Sequence, residues 1–205
     1  MNELTADNLQ LWRGEQHVLR GVGVVVDGGQ CLQVTGANGA GKTTLLRALC
    51  GLTPLDAGRI CWRGSDIAID REAFHSELNY LGHDNGLKAD LTAAENLHYA
   101  AALRRPVRAP QIAAALAHTG MAEVAGQLLR RLSAGQRRRV ALARLVLTGG
   151  ALWVLDEPGS NLDASGQAVL LGLLQQHLAA GGAAVVATHQ GLDLPAAQLR
   201  SLTLQ

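Results

Sequence analysis

The nine residues Gly36-Ala37-Asn38-Gly39-Ala40-Gly41-Lys42-Thr43-Thr44 constrain this chain more than any other stretch. Before them runs Cys31-Leu32-Gln33-Val34-Thr35, short, apolar and β-branched, which reads as a buried strand. After them, Leu45-Leu46-Arg47-Ala48-Leu49 reads as the first turns of a helix. Strand, glycine loop, Lys-Thr and helix together make a phosphate cradle. The glycines let successive backbone N–H groups converge on a phosphate without Cβ clashes, and the helix N-terminus adds its positive end. Lys42 reaches the β- and γ-phosphates of a nucleoside triphosphate, and the Thr43 hydroxyl can take a place on Mg²⁺. A plain glycine turn between a strand and a helix would need neither the Lys-Thr pair nor both flanks.

A chain of 205 residues suits one large domain, 1–205, with room for a modest insert. Its residues are 48% hydrophobic and only 17% charged, which points to a surface covered by a partner. The net charge of +1 gives no global field for nucleic acid. Cys31, Cys50 and Cys61 are odd in number and lack Cys-x-x-Cys spacing, so they read as reduced core residues, without a metal or disulfide role. The opening residues lack the basic and apolar regions of a signal peptide, and no apolar run is long enough to span a bilayer. The expectation is a cytosolic chain that meets a membrane only through another protein.

Strand-like runs fill 3–11 and 22–34, and Gly28-Gly29 reads as a tight turn within the second. The helix after the cradle ends near Cys50-Gly51, with Pro54 beyond it. Short strands are expected at 58–62 and 79–82, the latter running into a loop at His83-Asp84-Asn85-Gly86. From about 87 to 147 the pattern is helical. Thr92-Ala93-Ala94-Glu95 is a capping box opening a helix to about Leu103, which Pro106 and Pro110 break. Residues 111–118 form a second helix, and Ser133-Ala134-Gly135-Gln136 caps a third that runs to Leu147. This block, 87–147, reads as a helical subdomain inserted in an α/β chain. Strands return at 151–155, 183–188 and 198–204, with a helix over 162–179. Such alternation argues for a mainly parallel sheet.

The strand Leu152–Leu155 ends in Asp156-Glu157-Pro158. Acids at the carboxyl end of a strand buried on both faces emerge in the crevice where ligands bind. Asp156 is placed to hold Mg²⁺ through water, and Glu157 to polarise the water that attacks the γ-phosphate. The helix start at Ser133-Ala134-Gly135-Gln136 is a second anion site. Arg130-Arg131 and Arg137-Arg138-Arg139 around it could form a nucleic-acid patch, but an arginine-rich helix face is more often solvated or paired.

Gly36–Thr44, Leu132–Gln136, Leu152–Glu157, Asn161-Leu162-Asp163 and His189, in this order and spacing, resemble an ABC-transporter ATPase over essentially the whole chain. The resemblance implies a P-loop NTPase with a RecA-like core, an antiparallel β-subdomain and an inserted α-helical subdomain. It implies ATP and Mg²⁺, and a head-to-tail nucleotide-sandwich dimer. Each ATP would lie between Gly36–Thr44 of one copy and Ser133, Gly135 and Gln136 of a second copy. His189 would contact the γ-phosphate, and Asp163 would cross the dimer interface.

Two positions depart from the family pattern. His83 stands where such ATPases carry a glutamine against Mg²⁺ and the attacking water, and an imidazole adds a protonation switch near neutral pH. Arg13 stands where they carry the aromatic under adenine, with Trp12 beside it. Either side chain could stack on the base, and Trp12 could equally be core. Leu81-Gly82-His83, Gly86-Leu87-Lys88, Leu91–His98, Leu132–Leu145 and Thr188-His189-Gln190 resemble the ATPase subunit of the cytochrome c maturation system, the haem exporter ATP-binding family. That likeness implies integral membrane subunits of the bacterial inner membrane as partners, association with its cytoplasmic face through them, and hydrolysis that powers haem export or release of a periplasmic haem chaperone. His75, His98 and His118 are isolated and read as ordinary histidines.

Rival readings explain less. A soluble ABC-type ATPase of DNA repair carries coiled-coil arms between cradle and signature, whereas this interval is about 90 residues without heptads. Translation-type relatives carry two cassettes. A small-molecule P-loop kinase would explain Gly36–Thr43 but not Ser133–Gln136. An exporter ATPase for another substrate is the remaining alternative.

Overall fold

The computed structural model describes residues 2–205, which form nine strands and six α-helices. Strands β1 (Asn2–Arg13), β2 (Gln16–Asp27), β4 (Ala57–Trp62) and β5 (Ser65–Asp66) form an antiparallel sheet of order β2-β1-β4-β5. Strands β3 (Cys31–Gly36), β6 (Leu78–Leu81), β7 (Leu152–Asp156), β8 (Ala183–Ala187) and β9 (Leu199–Leu204) form a second sheet of order β6-β7-β8-β3-β9. Its β7–β8, β8–β3 and β3–β9 ladders are parallel. Every residue of β7 and β8 is buried, as strands covered on both faces must be, which is why both read as unbroken apolar runs.

The helices are α1 (Lys42–Leu49), α2 (Arg71–Glu77), α3 (Ala93–Ala102), α4 (Ala109–His118), α5 (Ala134–Thr148) and α6 (Ala164–Ala179). The chain divides into two compact units. The first comprises residues up to Tyr80, Gly150–Glu157 and Leu174–Gln205; the second comprises Leu81–Gly149 and Pro158–Leu173. In the first, Leu4, Leu9, Val34, Leu45, Leu49 and Val185 belong to one core that joins both sheets to α1. In the second, Leu97, Leu116, Leu129 and Val140 belong to a separate core among α3, α4 and α5.

Several elements differ from the sequence reading. Strand β2 begins at Gln16 rather than 22, because the β1 ladder recruits polar residues that have no strand pattern of their own. Gly28-Gly29 is the expected turn, and it carries the chain from one sheet to the other. Helix α2 has no counterpart in the reading; it is seven residues long and buries only Phe74, too little to show a period. Pro110 does not break a helix. It lies in the first turn of α4, where its missing N–H costs nothing. Helix α6 starts at Ala164 rather than Leu162, since the Asp163 carboxylate accepts from Gly166 N at 2.9 Å.

Candidate functional site

In the first unit, β3 delivers the chain into the glycine loop and α1 takes it out. Gly41, immediately before α1, is left-handed at φ 94°, and no side chain caps the helix, so its first-turn N–H groups point at the loop mouth. A Cβ on Gly41 would lie 2.7 Å from Val18 Cγ1, so close approach and backbone both demand glycine here. Lys42 folds back: its Nζ donates to Gly36 O at 2.8 Å and Ala37 O at 3.0 Å, leaving one ammonium N–H for an anion. Ala37, Asn38 and Gly39 are exposed, and Gly36, Ala40 and Thr44 are half-buried, so the loop is open to a ligand.

The Thr43 hydroxyl donates to Asp156 Oδ2 at 2.7 Å, and Asp156 is only 2% exposed. A hydroxyl and a carboxylate held together are hard oxygen donors of the kind Mg²⁺ takes alongside nucleotide phosphates. Among the described residues no group of three or more His, Cys, Asp or Glu side chains could hold a metal on its own. Tyr80, near the end of β6, was not singled out from the sequence; burial first, then the Asp156 charge, pushes its phenol up.

Glu157 follows β7 and His189 follows β8, at the carboxyl ends of neighbouring parallel strands. His189 Nε2 lies 3.4 Å from Glu157 Oε1. Glu157 has φ 47°, a left-handed conformation uncommon outside glycine, and its N–H donates to Ala187 O at 2.9 Å. Gln33 Nε2 donates to Gln190 O at 2.9 Å, which pins the loop after His189.

Trp12 and His17 are cross-strand partners on β1 and β2, and their rings stack at 4.1 Å and 5°. Trp12 is 49% exposed, so the core alternative is wrong: the indole offers a face to solvent. Val18, next to His17, is the nearest side chain that a Cβ on Gly41 would meet, which sets the ring pair beside the cradle. Arg13 is exposed at the end of β1. His17 escaped the sequence reading because only strand register reveals its stack on Trp12.

The remaining residues lie in the second unit. The Ser133 hydroxyl accepts from Gln136 N at 3.1 Å, and Gln136 Oε1 accepts from Ser133 N at 2.9 Å, a complete capping box. The hydroxyl keeps its own proton to donate. A Cβ on Gly135 would lie 2.7 Å from Asn161 O, so α5 can meet the 159–163 loop only with glycine there. Asp163 binds the Arg139 guanidinium and the Ser165 hydroxyl; the Gly166 N–H, then Arg139, hold its carboxyl below the usual range. The arginine run is both solvated and paired: Arg130 and Arg131 are exposed, Arg137 donates to Leu132 O at 2.7 Å, Arg138 is buried, and Arg139 pairs with Asp163. His83 is exposed in the loop after β6. The structure therefore gathers Gly36–Thr44, Asp156, Glu157 and His189 in one unit, and Ser133, Gly135, Gln136, Asp163 and His83 in the other.

Comparison with known proteins places the chain among relatives. The family described as ABC transporter matches residues 8–160. A cytochrome c biogenesis ATP-binding export protein, CcmA 1, of Salmonella paratyphi A is 46% identical over 201 residues, covering 98% of this chain and 96% of that protein. The CcmA protein of Albidiferax ferrireducens is 43% identical over 205 residues, covering 98% and 97%. A solved structure described as the ATP-binding subunit of an ABC transporter superposes with TM-score 0.83 at 26% identity, over 91% of this chain and 79% of that one.

Proposed function

The chain belongs to the ABC transporter family of ATP-binding proteins, and on that premise we propose that it is the ATP-hydrolysing subunit of a membrane complex of cytochrome c biogenesis. The chain is an ATPase. The role in cytochrome c biogenesis is carried by likeness to the CcmA proteins across nearly its full length. The hydrolytic reading rests on one rim, where Thr43 meets Asp156 and His189 meets Glu157.

On that rim the loop N–H groups and Lys42 hold the β- and γ-phosphates of ATP. Magnesium, held through the oxygens of Thr43 and Asp156, supplies charge neutralisation when bound. Glu157 accepts a proton from water as the water oxygen attacks the γ-phosphorus and the bond to ADP breaks. His189 contacts a γ-phosphate oxygen. Trp12, already stacked on His17, stacks on adenine, with Arg13 at its edge. A second copy of the chain closes the site with Ser133, whose free hydroxyl proton suits a phosphate oxygen, and with Gly135 and Gln136; Asp163 crosses that interface. The architecture is a single cassette, 1–205, with a helical block at about 87–147 set into the α/β core.

Partners are integral membrane subunits, which bring the chain to the cytoplasmic face of the inner membrane. No helix among the described residues is long and apolar enough to cross a membrane. The work done on the far side is haem export or release of a haem-loaded periplasmic chaperone. The deciding measurement is ATPase activity of Glu157→Gln beside its nucleotide binding. Turnover is expected to fall by at least about a hundredfold with ATP still bound; turnover at the parent rate sinks the assignment of the base. His83→Ala is expected to reduce stimulation of hydrolysis by the membrane subunits about fivefold or more, with nucleotide affinity within about twofold. A large loss of affinity with stimulation intact would reverse that assignment.

A further inference from the structure

Arg138, on the first turns of α5, is 2% exposed. Its Nε donates to Pro158 O at 3.0 Å, and its Nη1 to Gly82 O at 3.0 Å and Asn85 Oδ1 at 2.9 Å. Those acceptors stand 20, 56 and 53 residues away along the chain. Its neighbours act locally by comparison: Arg137 donates one turn back to Leu132 O, and Arg139 serves Asp163 and Ser165. Gly82 immediately precedes His83, Asn85 shares its loop, and Pro158 immediately follows Glu157.

A guanidinium removed from water is tolerated only where fixed acceptors replace its solvation. Its N–H groups lie in one rigid plane, so a buried arginine with several acceptors fixes them relative to one another. Two of the acceptors here are peptide carbonyls, so what is fixed is backbone. Glu157 depends on that. Its left-handed φ persists only if the surrounding structure over-determines it. On its N-terminal side the N–H is bound to Ala187 O; on its C-terminal side the next carbonyl, that of Pro158, is bound to Arg138.

We propose that Arg138 is a positioning residue for ATP hydrolysis, its buried guanidinium holding the backbone beside His83 and after Glu157 in a fixed relation to α5. This rests on Glu157 being the base. Arg138 itself touches no reacting atom; it keeps the peptide after Glu157 from turning, and so keeps the carboxylate aimed. Lysine retains the charge but places all its donors on one nitrogen, and cannot reproduce the two-nitrogen grip.

The test compares steady-state ATPase kinetics, binding of a fluorescent ATP analogue and circular dichroism for the full chain carrying Arg138→Lys, Asn85→Ala or Glu157→Gln. Arg138→Lys is expected to lower kcat about tenfold or more, with KM and analogue affinity within about threefold. Asn85→Ala removes one acceptor from a surface loop and is expected to lower kcat about threefold with KM unchanged. Parent kcat in Arg138→Lys, or a parallel loss of kcat and nucleotide affinity in a folded protein, overturns the proposal. If Arg138→Lys fails to fold, Asn85→Ala decides: a fall in kcat alone supports the proposal, and parent kinetics overturn it. An active Glu157→Gln overturns the underlying assignment of the base, and the positioning role with it, while an inactive one beside an unaffected Arg138→Lys overturns the positioning role alone.

Discussion

At the scale of single residues, the site is governed by where small groups leave room and where strain is held. Gly41 has Val18 against it and a left-handed backbone, so Gly41→Ala must shift either the cradle or β2. We expect that variant to lose about tenfold or more in ATP affinity in an equilibrium titration, because the loop N–H groups no longer converge. Trp12 is a different case: half exposed and stacked on His17, it carries little of the fold. Trp12→Ala is expected to weaken ATP binding about three- to tenfold while the melting temperature moves by under about 2 °C. The glycines and Lys42 were legible in the sequence because the cradle is local, each residue acting within a few positions of the next. His17, Tyr80 and Arg138 were not, because each acts through a partner that only strand register or tertiary packing brings near.

At the scale of elements, caps and stacked pairs set local stability. Helix α3 opens with a complete capping box, the Thr92 hydroxyl accepting from Glu95 N and Glu95 accepting from Thr92 N. Thr92→Ala is expected to cost about 1 kcal/mol, read from denaturant unfolding. Ser133 carries the same motif on α5, so a loss of activity in Ser133→Ala would mix helix fraying with loss of the proposed phosphate contact. Helix α6 is anchored by His177, whose ring stacks on Trp153 at 4.1 Å and shares a hydrogen bond with Ala183 O at 3.0 Å. Burial pushes this imidazole down, and the carbonyl bond only partly offsets it. The folded chain thus keeps His177 neutral at a pH where the unfolded chain, near 6.5, binds a proton. The stability this contributes is present above about pH 6.5 and is lost as pH falls below it. A melting series from pH 7.5 to 5.5 should show a downward slope toward acid that His177→Gln flattens; an unchanged slope would exclude His177 as its source.

At the scale of the whole molecule, the proposed nucleotide sandwich gives the chain half of each site and a second copy the rest. Glu157→Gln incubated with ATP is therefore expected to double in mass by light scattering, while Ser133→Arg, with a side chain too large for the sandwich, stays monomeric. The amino-acid sequence by itself determined the motifs and their order. The cradle, Asp156-Glu157, the Ser133 cap and the buried strands of the parallel sheet are all short-range patterns, in which hydrophobic period and capping chemistry act within a few residues. It could not determine which strands share a sheet, so the polar start of β2 is not visible in it, nor that the turn at Gly28-Gly29 leads from one sheet into the other. Nor could it decide what each arginine after Gln136 touches. Three consecutive arginines look alike in a sequence, yet folding leaves one on its own helix turn, one paired with Asp163 and one buried between backbone carbonyls. Contacts made across tens of residues exist only once the chain has closed. Burial then decides which charges stay solvated and which must find fixed acceptors.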